Sequence, residues 1–498
     1  MGILAMDDSS EASSTVFARA LDMPDKVAVQ TPRRSLTYAQ LADLVNHCAF
    51  RLQAKDIAGY SICALAIHDQ LSLLIHWLAL NRLRVGVVCV PVRQPIHDIE
   101  SLITECEIKV AVSDHGFVWP GIKVVDACLD LTVGSFGGSL DLTANTQNRI
   151  EHVLLGSGST GKPKLIAFEY GALMRMIQAY VEGVEITSEH RYGPLINLQY
   201  GGPVTYCLIR FSVGATVVLT DATVEDPFLF LERFEIAATD VTVLHAEQLY
   251  RLARKHGRRL ETMRDLSLSS SVVTDDLVSR LKDAVTSEVS IEYDTNECWP
   301  ICRIHMGREI RPKGSVGRAL RNAALEVVDN EHRPCPVDQP GHVRMRAPGL
   351  FSRYLGQPEE TQRRLQNGWF YPGDVGKLNA DGHLILLGRS DHMMIFNGVN
   401  IYPAEIERVM ADHPSVTDAA VMPFKHEIHQ DVPVCAVELH PGAQTTEAEL
   451  LEYGRKRLGT RSAKFVFAVE EVPRNHLGKL IRSEMAEIMR ARMKTRFQ

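Results

Sequence analysis

Residues 155–164 read Leu-Gly-Ser-Gly-Ser-Thr-Gly-Lys-Pro-Lys, with three glycines, three hydroxyls and two lysines directly after an apolar run. Glycines let successive backbone N–H groups point into one concavity, hydroxyls add donors that turn toward oxyanions, and lysines bring positive charge. This is the chemistry of a phosphate-binding loop, with Ser157, Gly158, Ser159, Thr160, Gly161 and Lys164 as candidate contacts. Gly156-x-x-x-x-Gly161-Lys162 also fills the first seven positions of a nucleoside-triphosphatase P-loop, whose eighth position supplies a Ser or Thr hydroxyl to Mg²⁺. Pro163 stands there instead. It has neither hydroxyl nor N–H and disfavours α conformation in the residue before it, which weakens the kinase or ATPase reading. Strand-like residues 152–155 and 165–168 flank the loop, predicting a β-hairpin cradle rather than a flexible linker.

Three further carboxylate and lysine positions bear on that chemistry. The strand-like residues 289–292 run out into Tyr293-Asp294-Thr295-Asn296-Glu297. A carboxylate near a phosphate cradle is repulsive unless a divalent cation lies between them, so Glu297 is either an Mg²⁺ ligand or a solvated surface group. Asp374 follows Pro372-Gly373, as a turn residue does, or as a carboxylate that takes both hydroxyls of a ribose does. Lys479 follows Gly478 on an exposed loop, where a lysine is ordinarily a solubility charge. Cys298, Cys302 and His305 invite a zinc reading, but no second ligand pair stands nearby.

The elements that must position these residues follow the alternation of a buried, largely parallel sheet. Helices are predicted over 38–53, 72–83 and 99–106, and strands over 85–92 and 109–112. Past the hairpin come a helix over 170–181, a loop over 193–202 leading into a helix from 203, and a strand over 215–219. Strands over 241–244, 266–269 and 289–293 alternate with helices over 246–256 and 275–285. Ligand sites in such sheets lie at the carboxyl ends of the strands. A β-rich stretch with turn signals follows, and from Gly388 the pattern changes to a compact α+β unit. That unit has strands over 393–396, 417–422, 432–439 and 465–469 and helices over 404–413, 447–458 and from 480. The boundary falls at Ser390-Asp391, dividing the chain into a flexible tail (1–15), a large domain (16–390) and a small one (391–498).

At 498 residues two or more domains are expected. A net charge of −7 lacks the basic footprint of a nucleic-acid binder. Ten cysteines are scattered singly without a Cys-x-x-Cys pair, which suits a reducing cytosol. No apolar run approaches the roughly 20 residues of a membrane span.

Taken in order, these segments resemble the adenylate-forming superfamily of acyl- and aryl-CoA synthetases, peptide-synthetase adenylation domains and luciferases. The resemblance runs from Leu36-Thr37-Tyr38-Ala39-Gln40-Leu41 to the final lysine loop, and it makes Pro163 an expected residue. It implies a large N-terminal domain of stacked α/β sheets with a β-rich subdomain, and a small mobile α+β lid. It further implies that Thr160 and its neighbours cradle the β- and γ-phosphates, that Glu297 and Thr160 serve Mg²⁺, and that Tyr293 stacks on adenine. Asp374 would take the ribose hydroxyls and Arg389 the ribose or phosphate, with Asp391 at the hinge. Gly388-Arg389-Ser390-Asp391 and the following Asn397 to Glu407 match the hinge motif, and Lys479 matches the lysine of the adenylation step. Asp294, Ser270 and Ser271 fall in the nucleotide-binding stretches.

The reaction so implied joins a carboxylate to the α-phosphate of ATP, releases pyrophosphate, and passes the acyl group to the thiol of CoA or of a carrier-protein phosphopantetheine. Departures are Asn296 in place of the usual Thr, Pro372 in place of Thr or Ser, and Ser269-Ser270-Ser271 in place of a glycine-rich adenine loop. They leave open a catalytically specialised or silent nucleotide-binding relative. The acyl pocket is expected around Asn197, Gln199, Tyr200, Gly201, Ser269 and Trp299, with Tyr200 and Trp299 either pocket walls or core. No carboxylate stands in 197–202 to meet an ammonium, whose burial alone is costly, so an uncharged acyl or aryl acid is expected and an α-amino acid is not.

Overall fold

The computed structural model describes residues 11–91, 103–114, 121–127, 129–132, 134–143, 149–156, 164–220, 224–426, 428–475 and 479–497. Ser157, Gly158, Ser159, Thr160 and Gly161 lie outside these residues, as does part of the helix expected over 99–106.

Two large sheets build the N-terminal body. The first has seven strands, in which Ile62–Ala66, Gly86–Cys89, Val110–Ser113, Lys123–Asp126 and Ile150–Gly156 run parallel. Their side chains are almost wholly buried up to Ser113, as a parallel sheet covered on both faces requires. Ile150–Gly156 then pairs antiparallel with Lys164–Glu169, so the hairpin expected around the glycine-rich loop is present. The second sheet has five strands: Ala238–Thr242, Asp265–Ser269 and Val289–Thr295 are parallel, and Cys298–His305 and Arg318–Ala319 return antiparallel. Helix Ala172–Gly183 touches both Lys164–Glu169 and Cys298–His305, which places it between the two sheets. A three-stranded sheet (Ser35–Thr37, Val27–Gln30, Val217–Val218) and a largely antiparallel six-stranded sheet around Gly341–Arg346 complete the body.

Most of these elements are set by local chemistry. Helix Tyr38–Gln53 matches its expected span and begins with a capping box, in which Thr37 and Gln40 each bond the other's backbone N–H. The expected strand over 241–244 is corrected to Ala238–Thr242. Thr242 accepts a hydrogen bond from the His245 N–H and starts helix Val243–His256, so Val243 and Leu244 belong to the helix. The segment expected to be a tail up to residue 15 contains buried Ala12, Ser13 and Thr15. The Ala12 N–H donates to Glu151 Oε1 at 2.8 Å and the Ser13 N–H to Asn81 Oδ1 at 2.8 Å, ahead of helix Ser14–Asp22.

The C-terminal unit is a five-stranded sheet carrying helices Pro403–Ala411, Glu447–Leu458 and Arg482–Phe497. Strand Val399–Ile401 was not expected. It pairs with Met394–Phe396 through an Asn397-Gly398 turn in which both residues have positive φ (49° and 78°), the geometry that closes a two-residue hairpin. The unit meets the body through helix Pro403–Ala411: Arg408 Nη1 donates to the Leu386 carbonyl at 3.3 Å, and Lys313 pairs with Asp412 at 3.1 Å.

Candidate active site

The carboxyl ends of the parallel strands in the second sheet carry Ser269 and the run Tyr293 to Thr295, and the loop beyond carries Asn296 and Glu297. Tyr293 Oη donates to Asp374 Oδ2 at 2.6 Å, so strand Val289–Thr295 and strand Asp374–Leu378 of the neighbouring sheet meet side chain to side chain. Arg389 extends this cluster. It lies 3.4 Å from Asp374 Oδ1, donates to the Pro372 carbonyl at 2.9 Å, and grips both oxygens of Asp391 at 3.1 Å. Burial raises the Asp374 carboxyl above its ordinary range, against the pull of Arg389 and the Tyr293 hydrogen bond. Burial opposes the Arg389 charge, but Asp391 and Asp374 outweigh it and hold the guanidinium firmly protonated. The result is a fixed acceptor, Asp374, beside a fixed cation.

Glu297 is half-buried, and its Oε1 accepts a hydrogen bond from Tyr354 Oη at 2.8 Å. Tyr354 is 2% exposed, packed on Phe351 at 4.8 Å between ring centroids, and its phenol is raised far above its usual value by burial and then by Glu297. It therefore acts as a donor at every working pH. Lys164 closes the hairpin on the same tyrosine: its ammonium lies 4.8 Å from the Tyr354 ring centroid and 2.7 Å from Glu360 Oε1. The donor set fits a magnesium ion held through phosphate. Glu297 is a single carboxylate, and no group of three or more His, Cys, Asp or Glu side chains among the described residues forms a metal cage of its own. Mg²⁺ is commonly bound through one or two carboxylates plus substrate phosphates. Cys298 and Cys302, offered above for zinc, are buried free thiols.

Lys479 arrives from the C-terminal unit. Its ammonium is drawn down by the loss of surrounding water and then by Arg389, while Glu297, Asp294 and Asp374 pull it back up. Those four side chains all lie before Asp391 in the chain, so the fold brings a lysine more than 80 residues beyond Asp391 toward the carboxylates Glu297, Asp294 and Asp374. The Asp294 carboxyl is pushed up to about 8 by burial, Glu292 and Asp240, against Lys479.

The remaining expected residues sit as follows. Asn296 is exposed. Ser269 is half-buried, while Ser270 and Ser271 are exposed, with Ser270 at a φ of 77°. The Asn197 side chain accepts from the Gln199 N–H at 2.9 Å and caps the turn Leu198–Tyr200, and Gln199 Nε2 donates to the Ile67 carbonyl at 2.8 Å. Both amides thus hold the loop's own shape. Tyr200 is half-buried, and Gly201 is buried at a φ of 78° with Leu154 and His152 where a Cβ would stand. Trp299 is 6% exposed and stacks on Tyr180 at 4.9 Å, with Tyr206 edge-on at 4.9 Å. Sequence reading missed Tyr354, Glu360, Tyr180 and Tyr206. The period-two runs Asp265, Ser267, Ser269 and Ser290, Glu292, Asp294 were available signals that a strand face near the site is polar.

The α/β body thus brings a lysine from the C-terminal unit near the carboxylates of Glu297, Asp294 and Asp374. The chain belongs to the AMP-binding enzyme family, whose model matches residues 16–355, and the AMP-binding enzyme C-terminal domain matches residues 405–479. It is 26% identical to indoleacetate–CoA ligase of Aromatoleum aromaticum, over 94% of this chain and 96% of that protein. It is also 26% identical to 2-succinylbenzoate–CoA ligase of Geobacillus kaustophilus, over 95% and 96%. In fold it is similar to the amide bond synthetase McbA of Marinactinospora thermotolerans (TM-score 0.84, 22% identity, 95% of this chain and 99% of that one). It is likewise similar to o-succinylbenzoate CoA synthetase of Bacillus subtilis in complex with its acyl-adenylate intermediate (TM-score 0.82, 22% identity, 95% and 97%).

Proposed function

We propose that the chain activates an acyl or aryl carboxylic acid, not an α-amino acid, as its acyl-adenylate and transfers the acyl group to a pantetheine thiol, with CoA as the acceptor. The observation that carries this reading is the approach of Lys479 to Glu297, Asp294, Asp374 and Arg389. Attack of a carboxylate on the α-phosphate gathers negative charge at one centre, and a fixed ammonium there stabilises the transition state more than the ground state. Mg²⁺ supplies a second positive charge on the phosphates when bound. On this reading Asp374 and Arg389 hold the ribose, Tyr293, bonded to Asp374, flanks the adenine, and Ser157 to Lys164 take the departing pyrophosphate. The thiol then attacks the acyl carbon and AMP leaves.

The domain boundary and hinge at Asp391 belong to the same reading. Arg389 joins Asp374 of the body to Asp391, and Ser390 Oγ donates to the Gly373 carbonyl at 2.9 Å, so a rotation of the small domain has a defined pivot. The eight buried free thiols among the described residues fit a reducing cytosol. No helix among the described residues is long and apolar enough to cross a membrane.

The test is a screen of carboxylic acids for pyrophosphate release, followed by CoA and a phosphopantetheinylated carrier protein offered to the best acid. Acid-dependent pyrophosphate with CoA thioester supports the reading. Nucleotide binding without turnover across the panel would favour a silent relative, ADP would restore the kinase reading, and acylation of the carrier alone would change the acceptor.

A further inference from the structure

Helix Pro403–Ala411 of the C-terminal unit packs on strand Leu384–Arg389 of the body. The approach is close at its amino-terminal end, where a Cβ on Gly388 would come within 3.2 Å of the Tyr402 Cβ. Arg408 and Asp412 stand four residues apart, on the same side of the helix's last turn, and both reach across the boundary. Arg408 Nη1 donates to the Leu386 carbonyl at 3.3 Å, and the same guanidinium covers Gly314, where a Cβ would meet Nη1 at 2.7 Å. Asp412 pairs with Lys313 at 3.1 Å.

The body's half of this contact is held firmly. Arg311 donates to the Ser315 carbonyl at 2.8 Å, to Asp275 Oδ1 at 2.8 Å and to the Val273 carbonyl at 2.9 Å. Buried Ser315 Oγ lies 3.1 Å from His383 Nδ1 and accepts from the Gly317 N–H at 2.9 Å. Val316 and Gly317 also exchange backbone hydrogen bonds with Leu384 at 2.9 Å. The loop 311–317 is therefore a fixed seat. Gly314 has a φ of 73°, which glycine adopts without strain, and its missing side chain leaves the room that Arg408 fills.

The C-terminal unit's half carries a charge that its own helix does not favour. Asp412 is the C-cap of Pro403–Ala411, and the carboxyl end of a helix favours cations over anions. What suits the carboxylate stands across the boundary. Lys313 meets it directly, and Arg311 lies within its field: burial draws the Arg311 charge down, Asp275 supports it, Arg408 opposes it and Asp412 supports it. Among the described residues the hydrogen bond of the Arg408 guanidinium also goes to the body. Two charged side chains on one helix turn thus serve the other domain rather than their own.

Resting on the acid-activating function above, we propose that Arg408 and Asp412 are positioning residues for Lys479. Their grip on Leu386, Gly314 and Lys313 holds the C-terminal unit in the orientation that brings Lys479 to Glu297, Asp294 and Asp374, and it is released when the unit turns about Asp391 for thiol transfer. A contact made in one orientation and lost in the other shifts their balance by its own free energy and no more. This grip is light, because the Lys313 side chain is 70% exposed and exposed ion pairs are weak. It biases the enzyme toward adenylation without trapping it there. Loosening it slows the first half-reaction and spares the second.

The experiment measures the half-reactions separately, as acid-dependent ATP–pyrophosphate exchange and as CoA thioester formation from supplied acyl-adenylate. Asp412→Lys sets a further cation against Lys313 and Arg311 while suiting the helix end, so the variant should melt within about 2 °C of wild type. Exchange should fall about 5- to 10-fold, as loss and reversal of an exposed pair allows, with thioester formation unchanged or faster. Lys313→Asp in the Asp412→Lys protein restores the attraction and should recover exchange about threefold or more. Arg408→Met should show the same split, with exchange down about tenfold. Equal loss in both half-reactions, unchanged exchange, or no recovery in the swapped pair would overturn the proposal while leaving acid activation intact. If no acid supports exchange, the activating function fails instead, and amide hydrogen exchange over residues 312–317 still decides the grip. Faster exchange in Asp412→Lys, reversed by Lys313→Asp, supports it, and equal rates overturn it.

Discussion

Tyr354→Phe isolates a single contact on the proposed magnesium ligand. The phenol is 2% exposed and donates to Glu297 Oε1 at 2.8 Å, while its ring packs on Phe351. Phenylalanine keeps the ring and removes only the donor. A hydrogen bond to a charged group contributes about 1.5–3 kcal/mol. At about 1.4 kcal/mol per tenfold, that is roughly 10- to 150-fold, comparable with the 10- to 100-fold that loss of an outer partner costs a metal site. Glu297 is half-buried, so water replaces part of the bond and the lower half of this range is expected. The assay is acid-dependent ATP–pyrophosphate exchange titrated with Mg²⁺. Half-saturation should rise about 10- to 50-fold, with the maximal rate within about threefold at saturating metal. The melting temperature should stay within about 2 °C of wild type, because the packing is retained. An unchanged Mg²⁺ titration in a folded Tyr354→Phe enzyme would refute the placement of the metal at Glu297.

Other expectations follow from the same geometry. Lys479→Ala should lower ATP–pyrophosphate exchange by about 100- to 1,000-fold, as loss of one transition-state donor does, with nucleotide affinity little changed by equilibrium titration. Because the Lys479 ammonium is drawn below its ordinary value, exchange should fall on the alkaline side at a pH lower than a solvated lysine would give. Asp374→Asn should raise KM for ATP about tenfold with a smaller change in kcat, read from initial rates against ATP. Asp294 links stability to pH. Its folded-state carboxyl is raised to about 8, whereas the unfolded one ionises near about 4. Between those values the unfolded chain has released a proton that the folded one keeps, so stability falls as pH rises through the window. Asp294→Asn should therefore melt higher than wild type at pH 8 by differential scanning calorimetry, with the gap narrowing toward pH 5.

Local chemistry made much of the fold readable. Helix Tyr38–Gln53 announces itself by a capping box and an apolar stripe, and the Gly/Ser loop between two apolar runs implied the hairpin Ile150–Gly156 with Lys164–Glu169. Where reading slipped, another local signal had won. Thr242 starts a helix inside an apolar run that looked like a strand, and Asn397-Gly398 closes a hairpin inside a motif that drew attention for its function. Glu297, Asp374 and Lys479 were nameable as candidates because each stands after a strand or on a turn, and Arg389 because Gly388-Arg389-Ser390-Asp391 resembles the family's hinge motif. Their supports were not. Tyr354 lies 57 residues from Glu297 along the chain, and the pairing of Asp240 with Ser267 and of Glu292 with Arg303 exists only once strands are in register. A polar residue in a strand signals an unusual face, but its partner is a property of the packed sheet. Asn197 and Gln199 show the converse, since polar groups in a loop that looked like a pocket shape the loop itself.

The central claim is that a carboxylate oxygen of the substrate attacks the α-phosphate of ATP beside Lys479. It is tested most directly with an ¹⁸O-labelled acid identified by the screen, ATP, Mg²⁺ and CoA, by mass spectrometry of the nucleotide product. The account predicts AMP carrying one ¹⁸O atom, because the bridging oxygen of the acyl-adenylate comes from the acid and stays on phosphorus when the thiol takes the acyl group. Unlabelled AMP, or ADP in its place, would contradict it.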